Sequence, residues 1–186
     1  MKATDILMDE HRVIERVLNA IEKAIHAAAR GGKVRPGFFL DAAEFTKGFA
    51  NGCHHKKEEG VLFKAMAESG FPAESGPIAV MLAEHEQGRA FARAVREAAQ
   101  KWEAGDQSAR QAVLQNARAY VDLLRQHIIK EDNILFPMAD KAIPPAKHAQ
   151  VAEAFDRIEH EETGEGVHEK YLALAEVLEG EVTSEQ

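Results

Sequence analysis

The chain has 186 residues, 45% of them hydrophobic and 29% charged, which fits one domain with a substantial core. Its 31 acidic residues against 23 lysines and arginines leave a net charge of −8, which argues against nucleic acid as a partner, because phosphates need a basic surface. No apolar run approaches the roughly 20 residues of a membrane span, and the single cysteine, Cys53, excludes an internal disulfide and a cysteine-rich zinc or iron–sulfur site.

The opening MKATDILMDEH carries acids where a secretory leader needs its apolar stretch, so a cytoplasmic location is expected. Apolar residues then recur at spacings of three and four, and alternating β-branched runs are nearly absent, which predicts an all-α fold. A first helix is expected from about Asp5 to Arg30, ended by Gly31-Gly32. Its inward stripe is Leu7, His11, Ile14, Leu18, Ile21, Ile25 and Ala28. A second begins after Pro36-Gly37 and ends near Ser69-Gly70; His54 and Glu58 share a face with Ala50, Val61 and Ala65, beside a strip of Phe45, Phe49 and Cys53. A third opens at Pro77, a good first-turn residue, and reaches Ala104-Gly105 with the stripe Ile78, Leu82, His85, Gly88, Ala92, Val95, Ala99 and Trp102. A fourth runs from Asp106 or Ser108 to Ala142 with the stripe Val113, Ala117, Tyr120, Leu124, His127, Glu131, Ile134 and Met138. Pro144-Pro145 breaks the chain, and a fifth helix follows, weakened at Thr163-Gly164-Glu165-Gly166 or split there into two. Short loops favour antiparallel neighbours. The expected architecture is an up-down-up-down four-helix bundle over residues 1–142, with 143–186 a C-terminal helical extension of the same domain.

Two segments of this pattern are copies. His54-His55-Lys56-Lys57-Glu58-Glu59-Gly60-Val61-Leu62-Phe63 aligns with His127-Ile128-Ile129-Lys130-Glu131-Asp132-Asn133-Ile134-Leu135-Phe136, and Glu10-His11 aligns with Glu84-His85. The four helices thus read as two hairpins, each with one lone histidine and one His-x-x-x-Glu pair. That pair sits one turn apart on one face. A buried, unpaired glutamate is costly, so Glu131 in an apolar stripe calls for a proton, a cation or a metal. Four imidazoles, two bridging carboxylates and an oxo or hydroxo bridge supply most of the about twelve bonds of two six-coordinate ions. Imidazole with carboxylate suits iron, manganese or zinc, and two bridging carboxylates favour a redox-active pair over a closed structural zinc.

The ordered set His11, His54-x-x-x-Glu58, His85, His127-x-x-x-Glu131, with Leu-Phe after each pair, resembles the haemerythrin-like (HHE) family over about residues 4–142. The resemblance implies two iron ions, with His11, His54, His85 and His127 as terminal ligands and Glu58 and Glu131 as bridges. Oxygen-carrying members have two histidines one turn apart on the third helix; Met81 and Arg89 stand at those distances from His85. One histidine ligand is therefore missing, and His55, Glu59, Glu84, His160, Glu161 and His168 are the candidates to replace it. In an α-helix His55 and Glu59 lie about 100° from the His54/Glu58 face, where they would support the ligands or face solvent. His26 and His148 are expected on the surface, and Cys53 as a small core residue.

The expected function is that of a non-haem di-iron protein binding or processing a small oxidant or gas: dioxygen, hydrogen peroxide or nitric oxide. Equivalent ligand sets on the two metals lean towards peroxide or nitric oxide chemistry, since a carrier benefits from unequal irons. The alternative is binding, sensing or storage of oxygen, nitric oxide or iron without turnover. No pattern in the sequence fixes an oligomeric state.

Overall fold

The computed structural model describes residues 2–183. Among these the chain is all-helical, with six helices and no strand. Helix α1 is Ala3–Ala29, α2 spans 36–68, α3 is Gly76–Glu103, α4 spans 109–142, α5 spans 145–164, and α6 is Val167–Thr183. The helix boundaries sit at the expected breakers. Pro36 opens α2 as its first residue, and α1 ends where the Gly31 and Gly32 amides donate back to the carbonyls of Ala28 and Ala27, with Gly31 at φ 82°, a conformation that favours glycine. The weak point at 163–166 is a full break. Gly164 and Gly166 both take positive φ, so the expected fifth helix is two, α5 and α6.

Four stretches of the helices are π-helical: Ile158–Gly164 in α5, Thr46–His55 and Glu58–Leu62 in α2, and Glu131–Leu135 in α4. The last two occupy the same positions of the internal repeat. A widened turn of this kind commonly marks a functional site, and it shifts the register of everything after it. Ile134, expected on the buried stripe of α4, is 54% exposed, whereas Leu135 and Phe136 are buried. The extra residue of the wide turn delays the return to the inner face by one position. Met138, expected on the same stripe, is only half-buried for the same reason.

Helix α3 packs along α4 and α2, and α1 packs along α4 and α6. The buried apolar residues form two separate clusters. One holds Ile14, Leu18, Phe45, Ala50, Val95, Leu124 and Ile128; the other holds Leu7, Leu62, Met66, Met81, Leu135, Phe136 and Phe155. On α1, His11 falls between Leu7 and Ile14. On α2, His54 and Glu58 fall between Ala50 and Leu62; on α3, His85 falls between Met81 and Val95; on α4, Glu131 falls between Ile128 and Leu135. The histidines and glutamates therefore form a polar belt between two apolar layers.

Helix α6 is seated by shape. A Cβ on Gly48 would lie 1.8 Å from the Tyr171 ring, so glycine leaves the slot in which Tyr171 stacks edge-on to Phe45 and donates to Glu44 at 3.1 Å. Gly48→Ala should expel the ring and destabilise the protein by about 1–3 kcal/mol, as overpacking does. Chemical denaturation with hydrogen exchange on α6 checks this. Unchanged stability with full protection of α6 would mean that the slot does not hold the helix.

Candidate metal centre

The π-helical stretch Thr46–His55 changes which residues of α2 face inward. His54 and His55, neighbours in sequence, are both buried, at 1% and 3% exposure. An α-helical reading puts His55 to the side; the wider turn lets both rings meet the belt. His55 stacks on His85 at 3.8 Å between ring centroids. This residue, one of six candidates for the missing histidine, is the one that joins the cluster.

Two groups of donor atoms result, each with all its atoms within 4.8 Å of one another: His11, His54, Glu58 and Glu131, and His55, Glu58, His85 and His127. Glu58 belongs to both. Its two oxygens lie 3.5 Å from His54 Nε2 and 3.4 Å from His85 Nε2. Glu131 Oε2 lies 3.2 Å from both His11 Nε2 and His127 Nε2, and its Oε1 lies 3.9 Å from His85 Nε2. All six residues expected from the repeat are thus brought together, with His55 as a seventh.

The other nitrogen of each ring is anchored. His11 Nδ1 meets Asp132 at 2.6 Å, His54 Nδ1 meets Glu10 at 2.9 Å, His55 Nδ1 meets Asn51 Oδ1 at 2.9 Å, His85 Nδ1 meets Glu59 at 2.7 Å, and His127 Nδ1 meets Glu84 at 2.9 Å. A carboxylate or amide oxygen only accepts, so each Nδ1 carries a proton, and each ring when neutral would present its Nε2 lone pair to the centre. This is the arrangement that orients histidine ligands and raises their basicity. The repeat supplies the pattern twice. The glutamate before each lone histidine anchors the paired histidine of its own hairpin, and the acid after Glu58 or Glu131 anchors the lone histidine of the other hairpin. The repeated lysine holds the same glutamate, Lys57 on Glu10 and Lys130 on Glu84.

A cation fits what remains. Both oxygens of Glu58, both of Glu131, and Nε2 of His11 and of His55 are buried without a hydrogen-bond partner. His85 Nε2 and His127 Nε2 face each other at 3.0 Å. Burial works to raise Glu59 and Glu84, but their hydrogen bonds keep both carboxyls below the ordinary range. Burial pushes His54 down to about 4 and, with the neighbouring imidazoles, His55 well below its ordinary value. Burial and then the Glu131 charge push Glu58 up, whereas the imidazoles of His127 and His11 overcome burial to hold Glu131 low. His11 rises to about 9 against burial, through Asp132 and Glu131. Groups driven in opposite directions within one small volume are what a polyvalent cation would satisfy together.

Of the remaining candidates, Glu59 and Glu84 anchor the rings of His85 and His127. His160 is 52% exposed beside Asp156, and Glu161 is exposed, so neither reaches the cluster. His168 lies 3.5 Å from Glu159, within a separate group of Glu10, Cys53, Glu159 and His168. His26 is exposed, His148 is half-buried and Cys53 is a buried core residue. Sequence reasoning missed the anchoring roles of Glu10, Asn51 and Asp132, although Glu10 and Asp132 stood in the repeat.

Fold and site together define a helical metal-binding domain, to which iron is suited. The chain belongs to the hemerythrin HHE cation-binding domain family, which matches residues 2–139. It is also similar to uncharacterized proteins of Mycobacterium bovis and of two strains of Mycobacterium tuberculosis, at 26% identity over 163 residues, covering 88% of this chain and 63% of each relative. The chain thus spans less than two thirds of the length of these curated relatives. No solved structure matches it significantly. No helix among the described residues is long and apolar enough to cross a membrane.

Proposed function

We propose that this chain is a non-haem di-iron protein that binds a small oxidant or gas, with His11, His54, Glu58 and Glu131 holding one ion and His55, Glu58, His85 and His127 the other. The observation that carries this reading is the membership of Glu58 in both donor groups, since a carboxylate shared between two sites is suited to bridging a pair. Two iron ions supply a redox couple able to engage dioxygen, hydrogen peroxide or nitric oxide. The architecture that fits is a four-helix bundle of α1 to α4, up-down-up-down, with 143–186 a C-terminal extension on it; the short connections and the packing of α1, α2 and α3 on their neighbours support it.

The chain's own residues favour binding over peroxide turnover. The turnover reading rests on equal donor sets, and His55 makes them unequal. Its counterpart in the repeat is Ile128, which is buried in the apolar core and donates nothing. One side of the pair therefore has three imidazoles and one carboxylate and the other has two of each, the inequality from which a carrier's pair benefits. The apolar layers on either side exclude water from the centre.

The test is iron analysis followed by gas exchange. The protein should hold two iron ions, and the reduced form should take up nitric oxide or dioxygen and revert in its optical spectrum when the gas is removed. Sustained oxygen release from hydrogen peroxide would overturn the preference for binding. One zinc and no iron after growth in iron-replete medium would overturn the di-iron reading itself.

A further inference from the structure

Lys57 is 0% exposed. A wholly buried ammonium persists only when fully paired, and its partners are Glu10 Oε1 at 2.5 Å and Glu159 Oε2 at 2.7 Å. Glu10 uses its other oxygen, Oε2, to hold His54 Nδ1 at 2.9 Å. A continuous line of short polar contacts therefore runs from Glu159, at the end of α5, through Lys57 and Glu10 to a histidine of the cluster. Glu159 lies beyond residues 2–139, the segment matched by the family.

The other hairpin supplies an internal comparison. Its lysine, Lys130, also pairs with the glutamate that anchors the equivalent histidine, His127. The Lys130 side chain is 36% exposed, and among the described residues no second carboxylate pairs with it. Water can complete its shell. Lys57 has no such recourse, because it is wholly buried. Without the Glu159 charge, Lys57 would have one carboxylate to satisfy it and would draw Glu10 away from His54.

We propose that Glu159, acting through Lys57 and Glu10, is a positioning residue for His54, so that the segment following the family domain completes one side of the metal centre and leaves the other side independent. Only the metal readout below rests on the di-iron reading. The first measurement uses the metal-free full chain. Glu159→Gln should speed solvent exchange of the His54 Nδ1 proton, followed by nitrogen-edited NMR, about tenfold, and leave His127 Nδ1 unchanged. Adding Lys57→Met to that variant should return His54 towards the wild-type rate, because the ammonium competing for Glu10 is gone. Glu162→Gln, which removes the nearby Lys56–Glu162 pair, should change neither.

In the metal-loaded protein, Glu159→Gln should let a chelator remove one of two ions about tenfold faster, the low end of what an anchoring carboxylate is worth. Unchanged His54 exchange would overturn the proposal. So would equal acceleration at His54 and His127, which would mean general loosening. A wild-type protein that takes up no metal pair, yet shows the expected change at His54, would defeat the di-iron reading and leave the positioning role standing.

Discussion

Replacing Glu58 by leucine should strip both ions from the protein, not one. Glu58 is the only residue common to the two donor groups, so on the di-iron reading its loss would remove a donor from each. The fall in affinity should exceed the about 10–100-fold that an anchoring residue contributes, and metal analysis after desalting should find well below one ion per chain. The fold should survive, because leucine is close to glutamate in size and the two apolar clusters flank the position. The metal-free variant should be more stable than the metal-free parent by about 1–3 kcal/mol, the usual cost of a buried polar group without a partner. Both Glu58 oxygens are in that condition. Circular dichroism with denaturant titration reads the second effect. Retention of one full equivalent of metal would show that Glu58 serves a single ion.

Metal removal should have the next largest effect, on the parent protein. A ligand that binds only the folded state at 1,000 times its dissociation constant stabilises it by about 4 kcal/mol. For a chain of this size each kcal/mol moves the melting temperature by about 2–4 °C. Stripping the ions should therefore lower the melting temperature by roughly 8–16 °C, and restoring them should recover it. The Glu58→Leu protein should show no such response to added metal. Scanning calorimetry of the two proteins with and without metal checks both statements, and a parent that melts at the same temperature in both states would contradict them.

Much of this site can be read in the sequence because duplication repeats its chemistry. His54/Glu58 and His127/Glu131 declare themselves by spacing, and His11 and His85 by position on apolar stripes. What stayed hidden depends on backbone that departs from 3.6 residues per turn. An α-helical projection turns His55, a candidate donor, aside from the His54/Glu58 face and sets Ile134 on the core, and it cannot anticipate the π-helical turns that reverse both. His55 occupies the seventh place in the cluster, and Ile134 gave its core position to Leu135. Other roles depend on contacts between helices. Glu10 and Asp132 were visible as members of the repeat, but the ring each one anchors lies on another helix. Glu159 is 102 residues from Lys57 and belongs to a segment with no counterpart in the repeat, so no periodicity could link them. The helix ends, by contrast, were set locally by Pro36, Gly31 and Gly164, and were legible for that reason.

The division of the apolar interior into two clusters has a consequence for how the protein comes apart. A continuous core unfolds as one unit, because loosening any part exposes the rest. Here the layer containing Leu7, Met66, Met81 and Phe155 meets the layer containing Leu18, Phe45 and Leu124 across a plane of imidazoles and carboxylates, several of whose buried atoms have no hydrogen-bond partner. The metal-free chain is therefore built to open at that plane, with each layer able to fray while the other holds, as cooperative subunits of a fold do. Bound metal would act as a rivet through the plane and make the two layers melt together.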